Sequence, residues 1–465
     1  MNMINVRRLA VMTFLGAGML SDIFAQDFSL QADTLNEARL PAQWDLQSCI
    51  DYALEQNITI RKNRVTAEST QIDVKTAKAA LFPSLSFSTS QQVVNRPYQE
   101  TSSRVSGSEI ISSNSKTSYN GNYGLNASWT IYNGSKRLKT LKQERLNNQV
   151  AELDVATSEN TIKESIAQIY IQILYAAESV RVNENTLQVS IAQRDRGQEL
   201  LNAGSIAKSD FAQLEAQVST DRYQLVTAQA TLQDYKLQLK QLLELDGENE
   251  MNVYLPKLSD ENVLAPLPAK KDVYVSALAI RPEIEASKLN VEASELGIDI
   301  AKSSYFPTIS LSAGIGTNHT SGSDFTFGEQ VKNGWNNSIG LSVSVPIFNN
   351  RQTKSAVQKA KLQRETDMLS LLDEQKALYK TIESLWLDAN SAQQRYAAAN
   401  EKLRSTQISY DLISEQFNLG MKNTVELLTE KNNLLQAQQE QLQAKYMAIL
   451  NTQLLKFYQG DKLTL

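Results

Sequence analysis

The chain is short of the residues that build reactive sites: its 465 residues include one histidine, His319, and one cysteine, Cys49. A single cysteine rules out a disulfide framework or a cysteine-based metal cluster. A single histidine rules out a His-based triad or zinc motif. Gly314 and Gly316 lack both a third glycine and a following helix, so they do not form a nucleotide loop. No enzymatic activity, metal or cofactor is expected. With a formal charge of −5 there is no basic footprint for nucleic acid. After Ala25 no apolar run reaches the roughly 18 residues that a membrane-spanning helix needs, which excludes a helical membrane protein. Cys49 lies too far into the chain to be a lipidated first residue, and its setting in CIDYAL suits a small buried thiol. No lipid anchor is expected.

The segment 1–25 has a positive start (MNMINVRR), a short apolar stretch (LAVMTFLGAGML) and a small residue, Ala25, before a plausible cut. It reads as a secretory signal peptide, since about 12 apolar residues are too few to span a bilayer. The rest of the chain repeats itself. AKAALFPSLSFS at 77–88 matches AKSSYFPTISLS at 301–312. NYGLNASWTIYNGSK pairs with NSIGLSVSVPIFNNR at an offset of 216, slightly shorter than in the first match, and the same shift places Gly204 over Gly420. The difference falls within 84–118, so the first half carries a longer loop. Each half reads as helix, strand, loop, strand, very long helix, Gly turn, helix. The expected boundaries are a first repeat at 26–245, a linker at 246–270, a second repeat at 271–455 and a tail at 456–465.

Proline is absent from 134–203 and 349–419, so each segment is expected to be one helix of about 100 Å. Leu378, Ile382, Leu385, Ala389, Ala392, Tyr396, Ala399 and Leu403 step alternately by four and three, a coiled-coil seam. Subtracting 216 gives Ile162, Ile166, Ile169, Ile173, Ala176, Val180, Asn183 and Leu187, the same seam with one polar member. Helices 208–245 and 423–455 follow the glycine turns.

Four strands are expected at about 84–94, 119–131, 308–317 and 335–347. In YNGNYGLNASWTI the odd positions Tyr119, Tyr123, Leu125, Ala127, Trp129 and Ile131 are apolar, and the even ones small or polar. The same parity holds for Ile339, Leu341, Val343, Val345 and Ile347. Such alternation suits a transmembrane barrel strand, with lipid on one face and water on the other, and equally suits a half-buried soluble sheet. The very long helices and the signal peptide favour the barrel. Trp129 and Trp335 fall near opposite membrane faces, as an aromatic girdle requires. Four strands cannot close a barrel, so the chain must oligomerise; two, three or four copies give 8, 12 or 16 strands. His319 and the polar run 102–118 are expected in external loops.

WDLQSCIDYALEQN, ALAIRPEIEASKLNVEASELGIDIAKSSYFPTISLSAG, LSVSVPIFNNR and NLGMKNTVELL, in this order, resemble the TolC-like outer membrane factors, or outer membrane efflux proteins. The resemblance covers essentially all of the chain beyond the signal. It implies an α+β membrane protein of duplicated helix-strand-strand-helix units, forming a homotrimer with a 12-stranded outer-membrane β-barrel continued by a long periplasmic α-helical barrel. It implies a passive export channel in outer-membrane lipid, working with a periplasmic adaptor protein and an inner-membrane transporter of RND or ABC type. Small toxic compounds are the expected cargo, with type I protein secretion as the alternative. It also implies a periplasmic gate. Glu426 takes one acidic position of the aperture, Thr429 replaces the second with Glu430 nearby, Asp210 and Lys422 are the candidate latch, and Phe417 stands beside them. Gly204 and Gly420 become the adaptor-docking turns.

Overall fold

A computed structural model describes residues 41–98, 102–106, 109–113, 116–246, 251–256, 263–321, 323 and 325–464. The signal-peptide segment falls outside these residues. The chain divides into two units, 1–44 and 45–465, and the second contains the helices and strands of both repeats.

Each repeat begins with a helix broken once. In the first, α1 (Leu46–Gln56) starts where the Asp45 carboxylate accepts the Ser48 N–H, and it buries Leu46, Cys49, Ile50 and Ala53 at helical spacing. Asn57 adopts an extended backbone and ends α1, while its side chain accepts the Thr59 N–H and so starts α2 (Ile58–Ala79). In the second repeat α5 (Lys270–Ile280) stops at Arg281, because Pro282 disfavours helical geometry in the residue before it and then suits the first position of α6 (Pro282–Ser303). Asn57 and Arg281 are equivalent positions, related by the same shift that places AKAALFPSLSFS over AKSSYFPTISLS.

The long helices α3 (Lys136–Asn202) and α8 (Gln352–Asn418) each contain 67 residues. Tight turns lead from them into α4 (Lys208–Leu242) and α9 (Thr424–Gln459). Gly204 and Gly420 both have φ of +75°, which a side chain would strain. The Ser205 N–H bonds to the Leu200 carbonyl at 2.8 Å, and the Met421 N–H to the Gln416 carbonyl at 2.9 Å, closing each helix with the same two-bond cap. All eight left-handed residues among those described fall into four pairs 216 apart: Gly134 and Asn350, Ser135 and Arg351, Gly204 and Gly420, Glu244 and Gly460. The duplication therefore extends to backbone conformation at every kink.

The seam is the core. Leu378, Ile382, Ala389, Ala392, Tyr396 and Ala399 are buried on α8, and Ile166, Ile173, Ala176 and Asn183 on α3. Two apolar clusters form where the described connector residues 251–256 and 263–269 lie against the helices. One joins Val263 to Ile171, Tyr396 and Ala448, and the other joins Val273 and Ile284 to Leu378, Ile382 and Leu455. These connector residues are tied by backbone carbonyls: Tyr254 accepts from the Tyr170 hydroxyl, Pro268 from the Trp386 indole, and Val263 and Ala265 from Gln393.

β1 (Ser84–Asn95), β4 (Thr117–Asn133), β5 (Thr308–Thr320) and β6 (Asn336–Ser344) form one antiparallel sheet in that order. Three sequence-based expectations change. The stretch 102–118 is not a plain loop, since β2 (Ser102–Ser106) pairs with β3 (Glu109–Ser113) in a separate hairpin and β4 starts at Thr117. This hairpin is where the first repeat carries its additional chain. The last strand stops at Ser344, because Pro346 has no N–H for a ladder and restricts Val345. His319 is within β5, opposite Gly121, rather than in a loop; it stacks edge-on against Tyr119 and against Phe327 of the short helix α7 (Phe327–Asn333).

Candidate functional site: a two-faced sheet and two hairpin tips

The ladder register carries the alternation of single strands across the whole sheet. Phe87, Leu125 and Ile315 stand in one row, Trp129, Leu311 and Leu341 in another, and Ala127, Ala313 and Ile339 in a third. The opposite face carries Ser84, Ser128, Ser312 and Gly340 in one row and Ser86, Asn126, Gly314 and Ser338 in the next. One face is thus mainly apolar, with Asn337 of β6 completing the first row, and the other is serine, asparagine and glycine.

In the single chain the aliphatic face is uncovered, with Ile339 83% and Leu341 65% exposed. A face of this size in water would be a liability, and it marks contact with lipid or another apolar surface. The edge strands β1 and β6 each have one neighbour in the sheet. Their outer backbone groups need partners wherever water is excluded, which the chain by itself does not provide.

Exposed aromatic residues flank the aliphatic rows. At the helix end are Phe82, Trp129, Tyr305, Phe306 and Phe348, and the Trp129 indole donates to the Leu81 carbonyl at 2.9 Å. At the far end are Tyr98, Phe325, Phe327 and Trp335. Trp129 and Trp335 therefore sit at opposite ends of the sheet. Phe82 and Phe306 were missed from the sequence although the repeated Phe-Pro before β1 and β5 marks both.

Away from the sheet, the two hairpins meet near their turns around Phe417, which is buried among Leu214 and Leu427, with Leu200, Tyr410 and Ile413 alongside. Phe417 is thus a packing residue joining α4, α8 and α9. Arg196 donates to the Asn418 carbonyl across the same junction. Gly204 and Gly420 are open, with nothing near the position a Cβ would take.

The candidate latch is not closed within the chain. Lys422, in the turn just before the Asn423 cap of α9, donates to Glu426 of the first helical turn at 2.6 Å. Asp210 instead accepts the Ala207 N–H at 3.3 Å and caps its own helix. Glu426 also accepts the Asn423 N–H, and these bonds, the lysine first, hold its carboxyl below the usual carboxylate range. Thr429 bonds back to the Val425 carbonyl, and Glu430 accepts from Ser409.

A further charged centre was not identified from the sequence. Arg281 is buried at the helix break, forms ion pairs with Glu164 of α3 and Glu283 of α6, and lies over Tyr458 of α9. Its sequence signal is an arginine before proline inside an apolar helical pattern, ALAIRPEIEAS.

Comparison with known proteins agrees with this architecture. A profile of the outer membrane efflux protein family matches residues 49–244 and 273–460, one segment for each repeat. Among curated relatives, the outer membrane efflux protein BepC of Brucella suis biovar 1 (strain 1330) is 26% identical over 294 residues, covering 63% of this chain and 61% of BepC. The outer membrane protein TolC of Escherichia coli (strain K12) is 24% identical over 341 residues, covering 70% of this chain and 66% of TolC. The matches thus span slightly less than two thirds of these two relatives. Among solved structures, CusC superposes with a TM-score of 0.76 at 19% identity over 90% of this chain and 92% of CusC. The outer membrane protein VceC of Vibrio cholerae gives 0.73 at 16% identity over 90% and 97%. The chain belongs to the outer membrane efflux protein family, has its α+β channel fold, and is an outer-membrane protein of a Gram-negative bacterium.

Proposed function

We propose that this member of the outer membrane efflux protein family is one third of a passive export duct. In this reading three copies join β6 of one chain to β1 of the next, closing a 12-stranded barrel with its aliphatic face to lipid and its Ser/Asn/Gly face to water. The observation that carries it is the four-stranded sheet with two open edges and two chemically distinct faces, mounted on hairpins about 100 Å long. The test is placement of an arginine on each face. Leu341→Arg should strongly reduce trimers in outer-membrane fractions, since a mid-membrane arginine on a lipid face costs about 2–4 kcal/mol, whereas Ser338→Arg should assemble normally. Equal assembly of both would reject the barrel orientation.

The aromatic belts containing Trp129 and Trp335 would lie at the two lipid interfaces. The turns at Gly204 and Gly420 would meet a periplasmic adaptor protein, and an inner-membrane transporter of RND or ABC type would supply the driving force. Such a duct needs no cofactor. At the aperture the Lys422–Glu426 pair would offset much of the acidic charge, so three copies make a weakly rather than strongly cation-selective ring. Pairing of Asp210 with Lys422 would require Lys422 to exchange Glu426 for Asp210 in the closed assembly.

Small toxic compounds are the proposed cargo. Protein export is the second reading, favoured by similarity to the alkaline protease secretion protein AprF of Pseudomonas aeruginosa, 22% identical over 309 residues. Deleting the gene separates them: accumulation of a dye or antibiotic supports efflux, and loss of a secreted polypeptide without such accumulation supports the alternative.

A further inference from the structure

Between the two hairpins of the chain lies a polar cluster that the export reading does not use. Lys431 of α9 donates to Asp221 of α4 and to Ser190 of α3, and the Ser190 hydroxyl donates to Asp221. The other Asp221 carboxylate oxygen accepts from Gln217 at 2.9 Å. All three residues are almost fully enclosed, at 2% exposure for Ser190, 1% for Asp221 and 3% for Lys431. The enclosure pushes the Lys431 ammonium below its usual range, opposed by the Asp221 carboxylate. A buried ion pair is a weak source of stability, because desolvating both charges consumes most of their attraction, and its best-attested use is to fix a register.

The duplication makes such a fixture necessary. α3–α4 and α8–α9 derive from one unit, with matched lengths, seams and turns, so apolar packing alone discriminates poorly between pairing first with second and pairing like with like. The cluster is where the repeats differ. At the offset of 216, Lys431 corresponds to exposed Glu215, Asp221 to buried Ala437 and Ser190 to Thr406. In the observed contact Asp221 meets Lys431. If two α4 helices met at that level, Asp221 would meet Glu215, two like charges; if two α9 helices met, Lys431 would be buried against Ala437. Sliding α9 by one turn, about 5.4 Å, would likewise leave both charges unpaired.

We infer that the Ser190–Asp221–Lys431 cluster is a register key: it makes the first hairpin accept the second hairpin as its partner and sets their axial alignment, and hence the relative height of the two turns. The cluster penalises mispaired arrangements more than it stabilises the observed one, which is how specificity is obtained from repulsive alternatives.

Disulfide trapping tests this in the full-length assembled protein with Cys49→Ala as background. Gln217 and Asn432 face each other across α4 and α9, their side chains 3.5 Å apart, so Gln217→Cys with Asn432→Cys reports the native register. Gln217→Cys with Leu428→Cys or Gln436→Cys reports a slip of one turn either way. With the native cluster the 217–432 bridge should exceed either slipped bridge by about tenfold; Ser190→Ala, Asp221→Leu and Lys431→Met together should reduce that preference to about twofold while oligomers remain. Undiminished preference in this apolar variant overturns the proposal. Should the apolar variant fail to assemble, the charge-exchanged pair Asp221→Lys with Lys431→Asp decides: recovery of the preference lost in either single reversal supports the key, and no recovery overturns it.

Discussion

Arg281 lies with its guanidinium carbon 4.0 Å from the centre of the Tyr458 ring while pairing with Glu164 at 2.7 Å, so one side chain joins the helix break of the second repeat to α9 and to α3 of the first. The Tyr458 hydroxyl reaches Glu164 at 3.4 Å, and burial pushes the phenol up to about 12. Removing the arginine strands Glu164 in a largely desolvated site. Arg281→Ala should destabilise the protein by about 3 kcal/mol, with Arg281→Lys intermediate, since lysine keeps the charge but not the planar fork or the stack. Thermal unfolding of the purified protein measures both, and lysine equal to arginine would show that only charge matters.

Cys49 provides a probe of unfolding. Desolvation, reinforced by Asp45, pushes its thiol up to about 12, and the side chain has no exposed surface. Because the thiolate is the reactive form, a maleimide or aromatic disulfide should leave Cys49 unmodified at pH 8 and label it fully in denaturant. Rapid labelling of the native protein would contradict the burial of α1.

The turns should tolerate shape but not backbone strain. A β-branched residue in the left-handed region costs roughly 1–2 kcal/mol even in open space, whereas asparagine costs less. Gly420→Asn should support export at near-parental level. Gly204→Val and Gly420→Val should fold and insert but lose export in a drug-susceptibility assay, because the adaptor would meet an altered tip. Export by the valine variants would remove the docking role.

Phe417 should act through packing. Phe417→Ala leaves a cavity between the hairpins costing about 3–5 kcal/mol, and loosened tips should raise single-channel conductance in planar bilayers. Phe417→Tyr encloses a hydroxyl at a 2%-exposed position and should also destabilise the tip unless the hydroxyl gains a partner. Unchanged conductance in both variants would separate Phe417 from the gate.

If Glu426 lines the proposed aperture, acid should act on conductance through it. Its folded pKa is depressed, so its contribution is present above the ordinary carboxylate value of 4.5 and is lost as pH falls through the lower folded value. Conductance of the parent should therefore change on acidification below about pH 4.5, and Glu426→Gln should show the acid-state conductance at neutral pH. Replacing Asp210 and Lys422 together should raise conductance as well if Lys422 exchanges partners in the closed state.

The architecture was legible because it follows from one-dimensional periodicities. The step of four and three at Leu378, Ile382, Leu385 and Ala389 is a helical seam in any context. The odd–even alternation fixes which side chains share a sheet face from 119 to 130, up to the register shift between Thr130 and Tyr132 that the sequence did not show. Gly204 and Gly420 could be read because few residues other than glycine adopt their backbone geometry. Contacts between partners distant in sequence were not legible. The proline after it marks Arg281 in ALAIRPEIEAS, but its partners appear only where α3 and α9 converge on it. Lys422 and Glu426 are near in sequence, and their pairing depends on how the turn before α9 presents the lysine. His319 and residues 102–113 were assigned to loops because polar, serine-rich segments carry little apolar alternation, yet backbone pairing can hold them in strands.

The sequence alone determined the duplication, the long helices, the two-faced strands and the need for strand partners beyond one chain, since these depend on local period and on the cost of unpaired backbone in lipid. Only the tertiary structure decided which charges meet: Arg281 with Glu164, Lys422 with Glu426, Asp221 with Lys431. The Arg281 and Lys431 pairs depend on a few ångströms of separation between distant segments, which no periodicity along the chain encodes, and the Lys422 pair depends on the geometry of the turn before α9.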